Sequence, residues 1–86
     1  MKIVIKITVE NAQYPGDEIT KFVNKYIVGW ISNDVRQNGI ICSIETSLID
    51  AKNRIKLSVK KINEDFAFFY KLANVEKPII FNVEFL

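Results

Sequence analysis

IICSIETSLI (residues 40–49) and RIKLSVKK (residues 54–61) stand on either side of DAKN (residues 50–53), and how these runs are read decides the fold. Both alternate apolar and polar residues with a period of two, the spacing of a half-buried strand. In the first run Ile40, Cys42, Ile44, Thr46 and Leu48 share one side, with Ile41, Ser43, Glu45 and Ser47 on the other. In the second, Ile55, Leu57 and Val59 face inward, while Arg54, Lys56, Ser58 and Lys60 face outward. A short polar stretch between alternating runs predicts a β-hairpin at the centre of the chain.

Working outward, the same order of elements appears on both sides. Lys2 to Glu10 alternates strictly, with Ile3, Ile5, Ile7 and Val9 on one side, and predicts a first strand. Pro15 suits the first turn of a helix because its missing N–H would lack an intrahelical partner there, and Asp17 and Glu18 complement the helix dipole. Ile19, Phe22, Val23, Tyr26, Ile27, Trp30, Ile31 and Val35 then recur at helical spacing, predicting a helix from Pro15 to about Gln37 that Asn38-Gly39 closes. On the other side, Asn63 is placed to cap a second helix with Glu64 and Asp65 in its first turn and Ile62, Phe66, Phe69, Tyr70 and Ala73 on one face. That helix ends near Asn74. A last strand buries Ile79, Phe81, Val83 and Phe85, with Pro78 at its start, where a strand can lack a donor.

The order β-α-β-β-α-β is the split β-α-β pattern of ferredoxin-like folds. Right-handed crossovers place the strands 4-1-3-2 in one antiparallel sheet with both helices on the same face. The expected class is therefore α+β, with residues 1–86 forming a single ferredoxin-like domain.

Composition narrows the functional classes. The chain has 49% hydrophobic and 26% charged residues, which excludes a disordered tail, and it contains no long uncharged run that could span a bilayer. Lys2 and Lys6 interrupt the N-terminal alternation, so it does not resemble a secretory signal, and the single cysteine, Cys42, excludes an internal disulfide. These features point to a cytoplasmic protein. Histidine is absent, which removes the side chain most used for acid–base work near neutral pH and the commonest transition-metal ligand. No phosphate loop, dinucleotide fingerprint or paired-cysteine spacing occurs. No catalytic residue, metal site or cofactor is expected, and the adjacent carboxylates read as helix-dipole partners.

Three surfaces remain as candidates. In the expected sheet, Lys2, Lys6, Arg54, Lys56 and Lys60 form a basic stripe on the open face, the kind of surface that attracts nucleic-acid phosphates through counterion release. RNA-recognition motifs use the same face. Their stacking aromatics are missing here, where Val4, Lys6, Lys56 and Ser58 occupy the matching positions. Outward Val4, Ile41, Ile80 and Leu86, with Phe68 on the second helix and two open edge strands, suggest a protein interface and a homodimer. Asn11, Tyr14, Gly16 and Asp50 lie in loops expected to meet at one end of the domain as a ligand rim. There, Asn11 and Pro15-Gly16 before a helix, followed by Asn38-Gly39-Ile40 before a strand, resemble part of the ligand-binding loop and second strand of ACT regulatory domains. The resemblance implies a small-molecule regulatory module, although the expected first helix is longer than that pattern.

The leading functional expectation is a small non-catalytic binding, adaptor or inhibitor-type protein that acts through protein–protein contacts and self-associates. Nucleic-acid binding and an ACT-like regulatory role are the alternatives.

Overall fold

The computed structural model describes residues 1–86. β1 (Lys2–Glu10) leads into α1 (Pro15–Phe22), which continues without a break as wider π-type turns over Val23–Val28. β2 (Asp34–Asn38) and β3 (Ile41–Glu45) form a hairpin, α2 (Ala51–Leu72) follows, and β4 (Ile80–Phe85) ends the chain. The four strands make one antiparallel sheet in the order β2-β3-β1-β4, which is 4-1-3-2 read from the opposite edge. The class is α+β with two helices, and the element order is that expected from the sequence.

The order survives although the central elements do not fall where the periodicity placed them. Residues 54–61 are not a strand but the second and third turns of α2, which runs for 22 residues. Alternation over so short a run is compatible with either period, because Ile55, Val59, Ile62 and Phe66 also satisfy i, i+4, i+7 and i+11. The helical reading wins because it carries one apolar stripe through to Tyr70, where a strand would have needed a new helix start at Asn63. Ile55 is buried at 0% exposure in this helix, whereas Leu57, inward in the strand reading, is 66% exposed.

The first helix is correspondingly shorter than expected. It stops near Val28, and the Ser32 N–H reaches back to the Ile27 carbonyl at 3.0 Å in its last, widened turn. Residues 34–38, read from the sequence as the helix end, are β2. Gly39 sits at the first central position of the hairpin turn with φ 64°, the sign and place that a type II′ connection requires. The glycine read as a helix terminator is thus a hairpin glycine.

Both helices cover the same face of the sheet. Ile3, Ile5 and Ile7 of β1, Cys42 and Ile44 of β3 and Phe81 of β4 join Ile19, Phe22, Val23, Ile27, Ala51, Ile55 and Ile62 in one core. The Phe22 and Phe81 rings stack at 4.9 Å between centroids, fixing α1 against β4. Two buried hydroxyls tie the end of the helical segment to the exit of β3. Thr46 Oγ1 donates to the Ile31 carbonyl at 2.6 Å, and Ser32 Oγ accepts the Asp34 N–H at 3.1 Å while donating to the Glu45 carbonyl. These bonds satisfy carbonyls that the helix end and the β3 end would otherwise leave unpaired.

Candidate functional site

The residues of the expected basic stripe are divided between two surfaces. Lys2 and Lys6 stand on the open face of β1, but Arg54, Lys56 and Lys60 belong to α2. Arg54 Nε bonds the Asp50 carboxylate one helical turn earlier at 3.0 Å. Lys56 lies over the Phe85 ring at 5.5 Å, joined by Lys52 at 5.7 Å. Arg36 replaces them on the sheet, where the outward positions of the four strands hold Lys2, Lys6 and Arg36 with Glu10, Asp34, Glu45 and Glu84.

Register places opposite charges side by side on that face. Lys2 is opposite Glu45, Lys6 is opposite Glu84, and Arg36 Nε lies 3.7 Å from the Asp34 carboxylate. The N-terminal ammonium adds a contact to Glu45 at 3.2 Å. Such a face is a mosaic of exposed pairs, each worth a few tenths of a kcal/mol to about 1 kcal/mol, with no single-sign field for steering an anionic polymer.

The expected apolar positions are scattered. Val4 and Leu86 are neighbours, since the Leu86 N–H donates to the Val4 carbonyl at 2.9 Å. Ile41 lies across from Lys6, and Ile80 lies at the far end of the sheet opposite Glu10. Phe68 is on α2, the helix that covers the opposite face of the sheet.

The ligand rim assembles only in part. Asn11, itself at φ 64°, donates from Nδ2 to the Pro78 carbonyl at 2.9 Å, so the loop after β1 does meet the loop before β4. Tyr14 and Gly16 are exposed beside it. Asp50, however, follows β3, whose last residue pairs with Lys2 at the opposite end of β1 from Asn11. The expectation failed because it counted residues 50–53 as a hairpin loop, whereas they start the helix that carries the chain back along the sheet.

What the sequence reading missed is the overhang of α2. The helix runs antiparallel to β4, with Lys52 and Lys56 beside Phe85 and Asn63 beside Phe81. β4 begins at Ile80, only one residue before Phe81, so Glu64–Leu72 project about 13 Å past the strand at the helical rise of 1.5 Å per residue. Phe66 still reaches the Phe81 ring at 6.1 Å, and Tyr70 leans on Phe66 at 6.0 Å. Beyond them Phe68, Phe69 and Leu72 are 62%, 64% and 68% exposed, and Val75 adds to the tip.

The tip ends in a hydrogen-bonded cap. Asn74 takes φ 57°, and the Val75 N–H donates to the Tyr70 carbonyl at 2.8 Å, the closing bond of a Schellman cap. Phe69 falls on the same helical stripe as Ile55 and Ile62, yet no sheet remains beneath it. The signal that could have found this surface was the run FAFFYKL, residues 66–72, which holds more apolar side chains than one buried face can take.

Between α1 and α2 lies a cleft of about 210 Å³ floored by Phe22, Tyr26, Ile62, Phe66 and Phe81, with Glu18, Lys21 and Lys25 at its mouth. Burial pushes the Cys42 thiol above the ordinary cysteine value. No three Cys, Asp or Glu side chains come close enough to hold a metal ion, and no helix is long and apolar enough to cross a membrane. Compared with known proteins, the chain matches no family model, no curated protein and no solved structure.

Proposed function

We propose that the chain is a non-catalytic protein-binding module on a ferredoxin-like scaffold, and that its contact surface is the overhanging end of α2. The observation that carries this reading is the placement of Phe68, Phe69 and Leu72, each more than three-fifths exposed on a helix end closed by a Schellman cap. A small domain gains nothing for its own stability from three such side chains. Clustered aromatic and leucine side chains presented on a rigid element are the usual anchors of protein interfaces.

The chemistry of the rest of the molecule supports the same reading. The one nucleophilic thiol is buried and held protonated, and histidine is absent. Nucleic-acid binding is the weaker reading, because the cations meant to carry it are shared between α2 and a sheet face that also bears four carboxylates. A single buried free cysteine fits a reducing compartment such as the cytoplasm.

The test is affinity capture with the intact chain and with the Phe68→Ser, Phe69→Ser, Leu72→Ser variant, at matched melting temperature. Support is a protein that the unmodified chain retains and the variant loses, confirmed by direct binding of the two purified components. Equal recovery by both chains would remove the α2 tip from the reading.

A further inference from the structure

The two edges of the sheet are treated differently. On the β4 edge α2 supplies a partner at one residue: Asn63 reaches over and bonds both backbone groups of Phe81, at 2.9 and 2.8 Å. The β2 edge has no such cover. It carries no proline, no lysine and no charge turned into the core, and its two charges, Asp34 and Arg36, are of opposite sign.

Which groups this edge offers follows from the hairpin. Its two-residue turn closes between Asn38 and Ile41, so that pair exchanges backbone hydrogen bonds, and the alternation continues through Arg36 with Ser43 to Asp34 and Glu45, where the Ser32 hydroxyl accepts the Asp34 N–H and donates to the Glu45 carbonyl. The Ile7 N–H bond to the Ile40 carbonyl and the Thr46 N–H bond to the Met1 carbonyl agree with this parity on the β1 side. The N–H and C=O groups of Val35 and Gln37 therefore point away from the sheet.

We propose that a second copy of this chain pairs antiparallel along β2, across a two-fold axis at Val35. Three symmetric registers join the free groups of Val35 and Gln37. One centred on Arg36 sets that guanidinium against its own copy. One centred on Gln37 sets Arg36 against Asn38. The register centred on Val35 bonds Val35 to Val35 in both directions, and places Asp34 opposite Arg36 and Arg36 opposite Asp34. Those two pairs are the closely spaced, non-hydrogen-bonded kind, where side-chain interaction is strongest. The strand DVRQN is thus self-complementary in one register alone, and the product is a continuous eight-stranded sheet with both open faces on the same side.

The surface differs from the α2 tip, so the two proposals stand or fall separately. The test uses sedimentation of the full chain over micromolar to millimolar concentration with the single variants D34R and R36D. Each variant alone meets like charge at both pairs and should weaken the dimer at least about tenfold. An equimolar mixture meets opposite charge at both pairs and should restore association to the wild-type level. Both positions are exposed, and an arginine at 34 would face Glu45 in register, so melting curves should stay unchanged. The proposal is overturned by a wild-type chain that remains monomeric throughout. Single variants that dimerise as tightly as wild type, or a mixture no tighter than its components, overturn it equally.

Discussion

The side chain of Asn63 pairs with the backbone of Phe81 as a neighbouring strand would: Nδ2 donates to the Phe81 carbonyl at 2.9 Å and Oδ1 accepts the Phe81 N–H at 2.8 Å. A helix thereby supplies one residue's worth of sheet to the outer edge of β4. The bond pair explains why an asparagine occupies the interior of a 22-residue helix, where its own propensity is poor.

Asn63→Ala separates the two effects. Alanine is the better helix former by about 0.5 kcal/mol, so on propensity alone the variant would gain stability. Leaving two half-buried backbone groups of Phe81 unpaired costs about 1–3 kcal/mol. A net loss of about 0.5–2.5 kcal/mol in urea unfolding is expected, and a gain would show that the edge bonds contribute nothing.

Ile55 and Leu57 discriminate the helical from the extended reading of residues 54–61 by stability alone. On a strand both would be core residues. On α2 Ile55 is fully buried and Leu57 is exposed. Ile55→Ala should cost about 2–5 kcal/mol, a large part of the stability of a domain this size, while Leu57→Ser should fall within about 0.5 kcal/mol of wild type. Comparable losses at the two positions would contradict the helix.

These residues also show how far the sequence could be read. The inward sets of β1 and β4, Pro15 at the start of α1 and Asn74 at the end of α2 were all legible, because each is written in a local period or a local cap. Residues 29–61 were legible only in part: the alternation of residues 41–45 marked a strand with Cys42 and Ile44 inward, but residues 34–38 were read as helix and 54–61 as strand, because the apolar spacing there fits two periods and only contacts distant in sequence choose between them. Ile44 on β3 stands opposite Ile3 of β1, and Ile55 joins the same core from a helix. The basic stripe and the ligand rim were built on that ambiguous segment, so both came apart with it. Of the α2 tip the sequence marked only Phe68 as outward and placed Phe69 on the buried face, because the exposure of Phe69 depends on where β4 begins, not on its own pattern.

Gly39 carries the hairpin that replaced the expected helix end. A side chain built there meets no neighbouring atom, so the cost of substitution lies in the backbone alone at φ 64°. Gly39→Ala should lose about 1–2 kcal/mol, and Gly39→Asn should recover part of it, since asparagine tolerates the left-handed region. Equal stabilities for the alanine and glycine chains in thermal melts would argue against a left-handed turn residue.

Cys42 gives a pH dependence whose sign is fixed by its burial. Its thiol is raised by desolvation in the folded chain, so the folded state holds the proton more tightly than the unfolded state does. The associated stability is complete below the ordinary cysteine value and is lost as pH rises past that value toward the folded one. The melting temperature of wild type should therefore fall more steeply on alkaline titration than that of Cys42→Ala, which lacks the group but keeps every lysine and tyrosine. The same burial leaves almost no thiolate at neutral pH, so alkylation of Cys42 should be slow in buffer and accelerate with urea in step with unfolding. Parallel pH profiles for the two chains, or rapid alkylation without denaturant, would place Cys42 at the surface instead of in the core between β1 and β2.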